Sequence, residues 1–377
     1  MKSQPAAIEE RHQVSGEKVS SREVKRMRVR TFLEAHELDG ILITLQPNFA
    51  WYTGGADSHV NVASEESIAE LLVTRTEEHL FVNSTEHERL RREELQWDFP
   101  LVHLRPWWEE GVRLEHVRHY CEGRVASDAS EFREQFSTLR YTLLPVEVDR
   151  YRRLGKDVAD SLWELRASVV HGMSEHDLAA EEASKLIRRD ITPLVLLVAF
   201  DERIKEYRHP LPSDKKLRAT VMMSVCGRRS GLVISATRMM SLQKLSEDVA
   251  VRSRSVAAID AWLHRNTLPG VTVASLFDGL TKQYEKEGYP QEWRLHHQGG
   301  ATGYTTRDFR ASASCTKVVQ EHQAYAWNPT ISGVKSEDTI LAEAAGPETL
   351  SADARWPSLE FEVDGSTVRR PDVLILS

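Results

Sequence analysis

The sequence predicts a mixed α/β protein built as two domains, and three observations carry that reading. The chain has 377 residues, long enough for two domains of ordinary size. Up to Leu144, β-branched apolar runs alternate loosely with amphipathic segments, as in an α/β domain. From Pro145 onward, a long amphipathic stretch leads into further helical and strand-like runs. Apolar residues make up 41% and charged residues 28% of the chain, the composition of a soluble globular protein and not of a disordered one.

Taken in order, residues 1–20 are polar and read as a loose tail. In 21–36 the apolar positions Val24, Met27, Val29, Phe32 and Leu33 fit one helical face. Arg22, Lys25, Arg26, Arg28 and Arg30 read as its solvated face. Residues 40–44 are a buried strand, 48–55 turn the chain, and 69–73 and 79–82 are two more strands around a charged turn. Pro145 marks the boundary, giving an N-terminal domain over 21–144 and a second over 145–377. Leu154, Val158, Leu162 and Leu165, three and four apart, place a helix over 148–169. Ser174 with Asp177 is close to a capping box and starts a helix over 178–187. Residues 194–200 are a continuous apolar strand, and 222–225 with 231–234 form a hairpin. Helices follow over 249–263 and 273–287.

The chain converges on Ala324 to Thr339. Tyr325 and Trp327 alternate with small residues as a strand does, Pro329 and Gly333 break the backbone, and a second strand runs from Glu337 to Leu341. Antiparallel pairing of these strands brings Asn328 and Glu337 together, an amide and a carboxylate fixed on a sheet. The alternative is a plain hairpin with one solvated glutamate.

Charge and composition exclude several functions. The formal net charge is -8 and no block of lysines and arginines occurs, so nucleic acid is not expected as a partner. No apolar run reaches the roughly 18 residues of a membrane span, and the polar N-terminus is unlike a signal peptide. A cytoplasmic location with no membrane partner is the expectation. Cys121, Cys226 and Cys315, odd in number and far apart, argue against a disulfide framework. Cys226, beside Gly227, reads as a small apolar core residue.

Five segments, in order, resemble motifs of the pita-bread fold of aminopeptidase P, prolidase and creatinase. They are Gly172-Met-Ser-Glu-His-Asp-Leu, Tyr207-Arg208-His209-Pro210, Gly231-Leu-Val-Ile-Ser-Ala-Thr-Arg238, His297-Gln-Gly-Gly-Ala-Thr-Gly303, and Asn328-Pro329 with Glu337-Asp338-Thr339. The resemblance covers essentially the whole chain and implies an N-terminal creatinase-like α/β domain followed by a pita-bread catalytic domain. Peptidases of this family hold two divalent metals with two Asp, one His and two Glu. On this chain those positions fall on Ser224, Ser235, Ala301 (within one residue), Asn328 and Glu337, so a single carboxylate is left. Hard dinuclear sites need several charged oxygens. No metal or other cofactor is therefore expected, and no working metallopeptidase.

What the resemblance leaves is a set of titratable groups. His209 resembles the catalytic histidine of creatinase, which breaks a carbon–nitrogen bond without metal, and Glu337 could orient a protonated nitrogen or activate water. Arg307 sits near the position of a substrate-carboxylate arginine. The expected catalytic residues are His209, Glu337 and His297. The expected substrate contacts are Arg307, Asn328, His296, Ser224, Ser235 and His59. Neighbouring residues on a strand face opposite ways, so at most one of His296 and His297 is expected in the pocket. Gly299 and Gly300 read as close approach to a ligand or as a bulge. Trp51-Tyr52-Thr53-Gly54 resembles a segment that reaches the partner's active site in creatinase-like dimers. A homodimer is thus implied, in which His59 completes a neighbour's pocket or is simply an exposed loop histidine. The leading functional reading is a metal-independent hydrolase of an amide-like or amidino C–N bond in a small polar molecule. The alternatives are a lyase, cyclase or isomerase on the same pocket, and a binding protein that has lost the chemistry.

Overall fold

The computed structural model describes residues 11–14, 17–95, 97–109, 111 and 114–376. The chain forms two compact units, Met1–Arg140 with Ser230–Leu232, and Tyr141–Arg229 with Val233–Ser377. Part of the expected N-terminal tail, residues 1–10, lies outside the described residues. Where the rest was expected to be loose, Arg11–Val14 pairs antiparallel with Glu17–Ser20. Among the described residues no helix is long and apolar enough to cross a membrane.

In the first unit, Ser20 caps the helix Ser21–Ala35 by accepting from the Glu23 amide. That helix buries Val29, Phe32 and Leu33. Its basic residues are not all solvated as expected. Lys25 is buried and donates to the Trp51 carbonyl at 2.5 Å, while Arg22 and Arg26 both pair with buried Glu78. An amphipathic helix can bury a cation when an acceptor waits inside, which helical spacing alone does not reveal. The sheet order is Leu101–Arg105, Glu78–Asn83, Glu66–Thr74, Gly40–Leu45, Val125–Ser127. The stretch expected to turn after Gly40–Leu45 is instead a short helix, Gln46–Tyr52. Pro47 fits its first turn, where the missing N–H is harmless, and Phe49, Trp51 and Tyr52 are all buried.

The second unit holds the site. Helix Pro145–Leu165 buries Leu154, Val158, Leu162 and Leu165 at the predicted spacing. Helix Glu175–Ile187 starts in the capping box of Ser174 and Asp177. One sheet runs Leu374–Ile375, Leu232–Ser241, Thr220–Arg229, Thr192–Phe200, and a second runs Phe309–Arg310, Gly299–Thr302, Gln323–Trp327, Asp338–Ala342, Glu348–Thr349. Helices Glu247–Asn266 and Val273–Lys286 cover the second sheet. Val256, Ile259, Leu263, Leu276 and Leu280 pack there with Tyr325, Trp327 and Ile340 in one buried cluster. The two sheets are stitched together: Thr237 bridges Glu337, and the Thr339 hydroxyl exchanges hydrogen bonds with the Ser235 backbone at 2.9 and 3.0 Å.

Between the first two helices of this unit, Glu182 is fully buried. Its Oε1 accepts from the Ser161 hydroxyl at 2.7 Å, and its Oε2 has no hydrogen-bond partner among the described residues. Burial pushes its pKa up to about 7. The native state therefore holds this proton more tightly than the unfolded chain does. Stability falls as pH rises from the unfolded carboxylate range through about 7, by up to about 3 kcal/mol. Glu182→Gln should melt well above the parent at pH 8, with the gap closing by pH 5. Calorimetric melts at the two pH values check this, and an equal gap at both would contradict it.

Candidate active site

The strands Gln323–Trp327 and Asp338–Ala342 pair antiparallel with Tyr325 opposite Ile340 and Trp327 opposite Asp338. Asn328 and Glu337 are the next residues on each strand, so the juxtaposition expected from the sequence is present. Trp327 locks this end by donating from its indole to Thr267 at 2.9 Å. Between the strands the chain inserts a small hairpin, Thr330–Ile331 with Val334–Lys335, turning at Gly333 with φ of 96°. Lys335 and Glu337, two apart in extended chain, share a face. The Lys335 ammonium meets Glu337 Oε2 at 2.7 Å, with both side chains 4% exposed.

The first sheet completes the cluster. The Thr237 hydroxyl donates to Glu337 Oε2 at 2.7 Å. Having spent its one proton, it accepts from Ser224, 2.6 Å away, and Ser224 in turn accepts from Lys335 at 3.2 Å. Arg307 donates to Glu337 Oε1 at 3.3 Å and to the Thr306 carbonyl at 2.5 Å. Burial by itself would raise the Glu337 pKa, but the Lys335 and Arg307 charges outweigh it and hold it at about 2. Glu337 is thus a fixed negative charge and a poor proton acceptor at neutral pH, which narrows the role expected for it.

The dinuclear centre of the resembled peptidases does not fit these residues. Ser235 is buried with its hydroxyl 3.2 Å from the Cys226 sulfur, and Ala301 offers no donor atom. Asn328 is buried and neutral, and the one carboxylate is already neutralised by two cations. Lys335, not singled out from the sequence, occupies the carboxylate that a metal would need. The signal was available as the i, i+2 spacing of Lys335 and Glu337.

Three histidines gather beside this cluster. His209, exposed, follows the short helix Arg203–Glu206, and buried His296 follows the turn Glu292–Leu295. The two segments are pinned by Arg208, which donates to Glu292 at 2.6 Å and to Ser332 at 2.8 Å. His209 and His296 meet Nε2 to Nε2 at 3.0 Å. The His296 and His297 rings stack at 4.4 Å, and His297 lies 5.7 Å from His209. Both members of the pair therefore face His209, against the expectation of at most one. Period-two alternation belongs to a paired strand, and pairing here begins only at Gly299. All three imidazoles have lowered pKa values. Burial and the Lys335 charge act on His209 and take His296 to about 2, while burial and the charges of Arg307 and exposed Arg310 take His297 to about 4.

The remaining candidates resolve simply. A Cβ on Gly299 would stand 2.2 Å from the Ala326 carbonyl and one on Gly300 2.1 Å from that of Phe309. The glycines thus answer to close neighbouring strands. His59 lies in the first unit, its Nδ1 2.8 Å from Asp57. Arg307 pairs with Glu337. Asp338 is clamped by Arg238 at 2.9 Å and Arg370 at 2.6 Å. Because Lys335 and Glu337 are desolvated together, Lys335→Met should destabilise this unit by about 3–5 kcal/mol. Adding Glu337→Gln should recover most of the loss. Denaturant unfolding of the single and double variants checks this; a double variant no more stable than Lys335→Met would contradict a cluster held by charge.

Comparison with known proteins agrees with this architecture. Residues 25–145 match the Creatinase/Prolidase N-terminal domain. The prolidase from Pyrococcus horikoshii OT3 superposes with a TM-score of 0.72 at 17% identity, covering 87% of this chain and 98% of its own. The dipeptidase PepE from Mycobacterium ulcerans gives 0.71 at 16%, over 94% and 97%. The N-terminal domain of the FACT complex subunit SPT16 from Cicer arietinum gives 0.62 at 12%, over 88% and 96%. No curated protein sequence matches. The chain carries a creatinase/prolidase N-terminal domain and has the pita-bread fold seen in prolidases and dipeptidases.

Proposed function

We propose that this protein is a metal-independent enzyme that hydrolyses an amide-like or amidino carbon–nitrogen bond in a small polar molecule bearing an anionic group. The observation that carries the reading is the trio His209, His296 and His297 set beside a Glu337 carboxylate whose charge is answered by Lys335 and Arg307. The prolidase and dipeptidase neighbours are consistent with a hydrolase, although their likeness speaks to fold.

Glu337 is held ionised, so an imidazole has to move the proton. His209 and His296 face each other at 3.0 Å, and one of the two nitrogens carries the hydrogen that the other accepts. His296 is buried and His209 exposed, so His296 sets the orientation of His209, and His209 meets the substrate. In hydrolysis His209 takes a proton from water as it attacks the carbon, then returns it to the departing nitrogen. Lys335 and Arg307 supply fixed positive charge where a metal would otherwise stabilise the developing oxyanion. Arg307, with exposed Arg310 near His297, favours an anionic substrate. Ser224 belongs to the hydrogen-bonded cluster around Lys335, and Ser235 and Asn328 fill buried positions beside it.

The direct His209–His296 contact also suits proton transfer without water, as in a lyase, cyclase or isomerase. His209→Ala should lower turnover by roughly 10²–10⁴-fold with little change in KM. Arg307→Ala should raise KM first. Product formed in ¹⁸O-labelled water should carry the label if the reaction is hydrolysis and lack it otherwise. Full activity in His209→Ala would contradict the assignment. A protein that binds the molecule and turns none over would be a binding scaffold.

A further inference from the structure

We propose that His209, His296 and His297 form a binding site for one borderline divalent transition-metal ion of the zinc class, separate from the Glu337 carboxylate and inhibitory rather than catalytic. One ring nitrogen of each histidine lies within 4.8 Å of the other two. Two nitrogens bound to a tetrahedral zinc at about 2.0–2.1 Å lie roughly 3.3–3.4 Å apart. The His209–His296 Nε2 separation of 3.0 Å is already close to that. His209 is exposed and sits outside any strand or helix, so its ring is the least confined of the three.

Two further features point the same way. The Nδ1 atom of His297 is buried with no hydrogen-bond partner among the described residues, an arrangement that folded proteins rarely keep without use. The nearby Lys335, Arg307 and Arg310 charges, together with burial, keep the imidazoles neutral, which is the form that ligates metal. The same cations repel a dication, so the site is weaker than a structural zinc site. Imidazole alone, with no carboxylate in the set, selects zinc, nickel or copper over magnesium, calcium or manganese. With three protein ligands the fourth position stays open. A bound ion takes the lone pair that His209 needs as a base. That inhibition rests on the function proposed above, whereas binding itself does not.

The test uses the full chain, stripped with a chelator and titrated with zinc chloride by calorimetry. One ion per chain should bind, magnesium chloride should give no saturable heat, and zinc-edge X-ray absorption should show three imidazole nitrogens. His209→Ala changes an exposed loop residue and should keep its circular dichroism while losing at least tenfold in zinc affinity; His296→Ala should lose as much. Absence of saturable binding, zinc affinity unchanged from the parent in either variant, or two ions per chain lost with Glu337→Gln would overturn the proposal. Once a substrate is in hand, zinc should inhibit and chelation restore turnover. Zinc bound at the triad without inhibition would uphold the site and refute His209 as the base.

Discussion

Lys335 and Glu337 meet at 2.7 Å inside the protein, and the strands around them are arranged to keep that contact satisfied. Two buried charges gain little net stability from each other once desolvation is counted, and they persist only when every remaining donor and acceptor is met. Here Thr237 and Ser224 complete the hydrogen bonds, and Arg307 adds a second positive charge. The same backbone turn serves the opposite face. Asp338, the next residue, points away and is neutralised by Arg238 and Arg370, with Arg370 also pairing Asp260 at 2.6 Å. Two successive carboxylates are thus each held by two cations, and they join the two sheets of the second unit where Thr237 bridges Glu337.

This arrangement fixes what chemistry is within reach. A metal pair at such a position would supply a bound hydroxide at neutral pH. An ammonium and a guanidinium supply charge and hydrogen bonds but cannot make a nucleophile from water. In the proposed function the burden of proton transfer passes to the histidines, whose neutrality is itself a product of the nearby cations and of burial. Fold and chemistry part company here. The fold is one seen in a prolidase and a dipeptidase, while the residues at this chain's centre are Lys335, Arg307 and three histidines around a single carboxylate.

Much of this was legible in the sequence, and the misses have physical causes. The pairing of Gln323–Trp327 with Asp338–Ala342, which leaves Asn328 and Glu337 just beyond its end, follows from alternation at Tyr325 and Trp327 and from the breakers Pro329 and Gly333. The helix at Glu175 follows from its capping residues, and the loss of carboxylates at positions 224, 235 and 328 can be read directly. Lys335 is hidden in the sequence because a lysine in a short strand reads as a solvated residue. Only the tertiary closure against Ser224 and Glu337 buries it. Lys25 hid for the same reason, its partner being a carbonyl 26 residues away. The helix at Gln46 reads as a turn in the sequence because its proline, asparagine and aromatics are poor helix formers. The stacking of His296 on His297 lies beyond local rules, since it is set by the bend leading into Gly299.

In the proposed function Lys335 and Arg307 stand where the resembled peptidases would carry metal. Crystals grown in manganese chloride, with diffraction recorded at the manganese edge, test this most directly. No anomalous peak is expected within coordination distance of Glu337, Ser224 or Ser235, with the Lys335 ammonium still against the carboxylate. Two peaks there, bridged by Glu337, would contradict it.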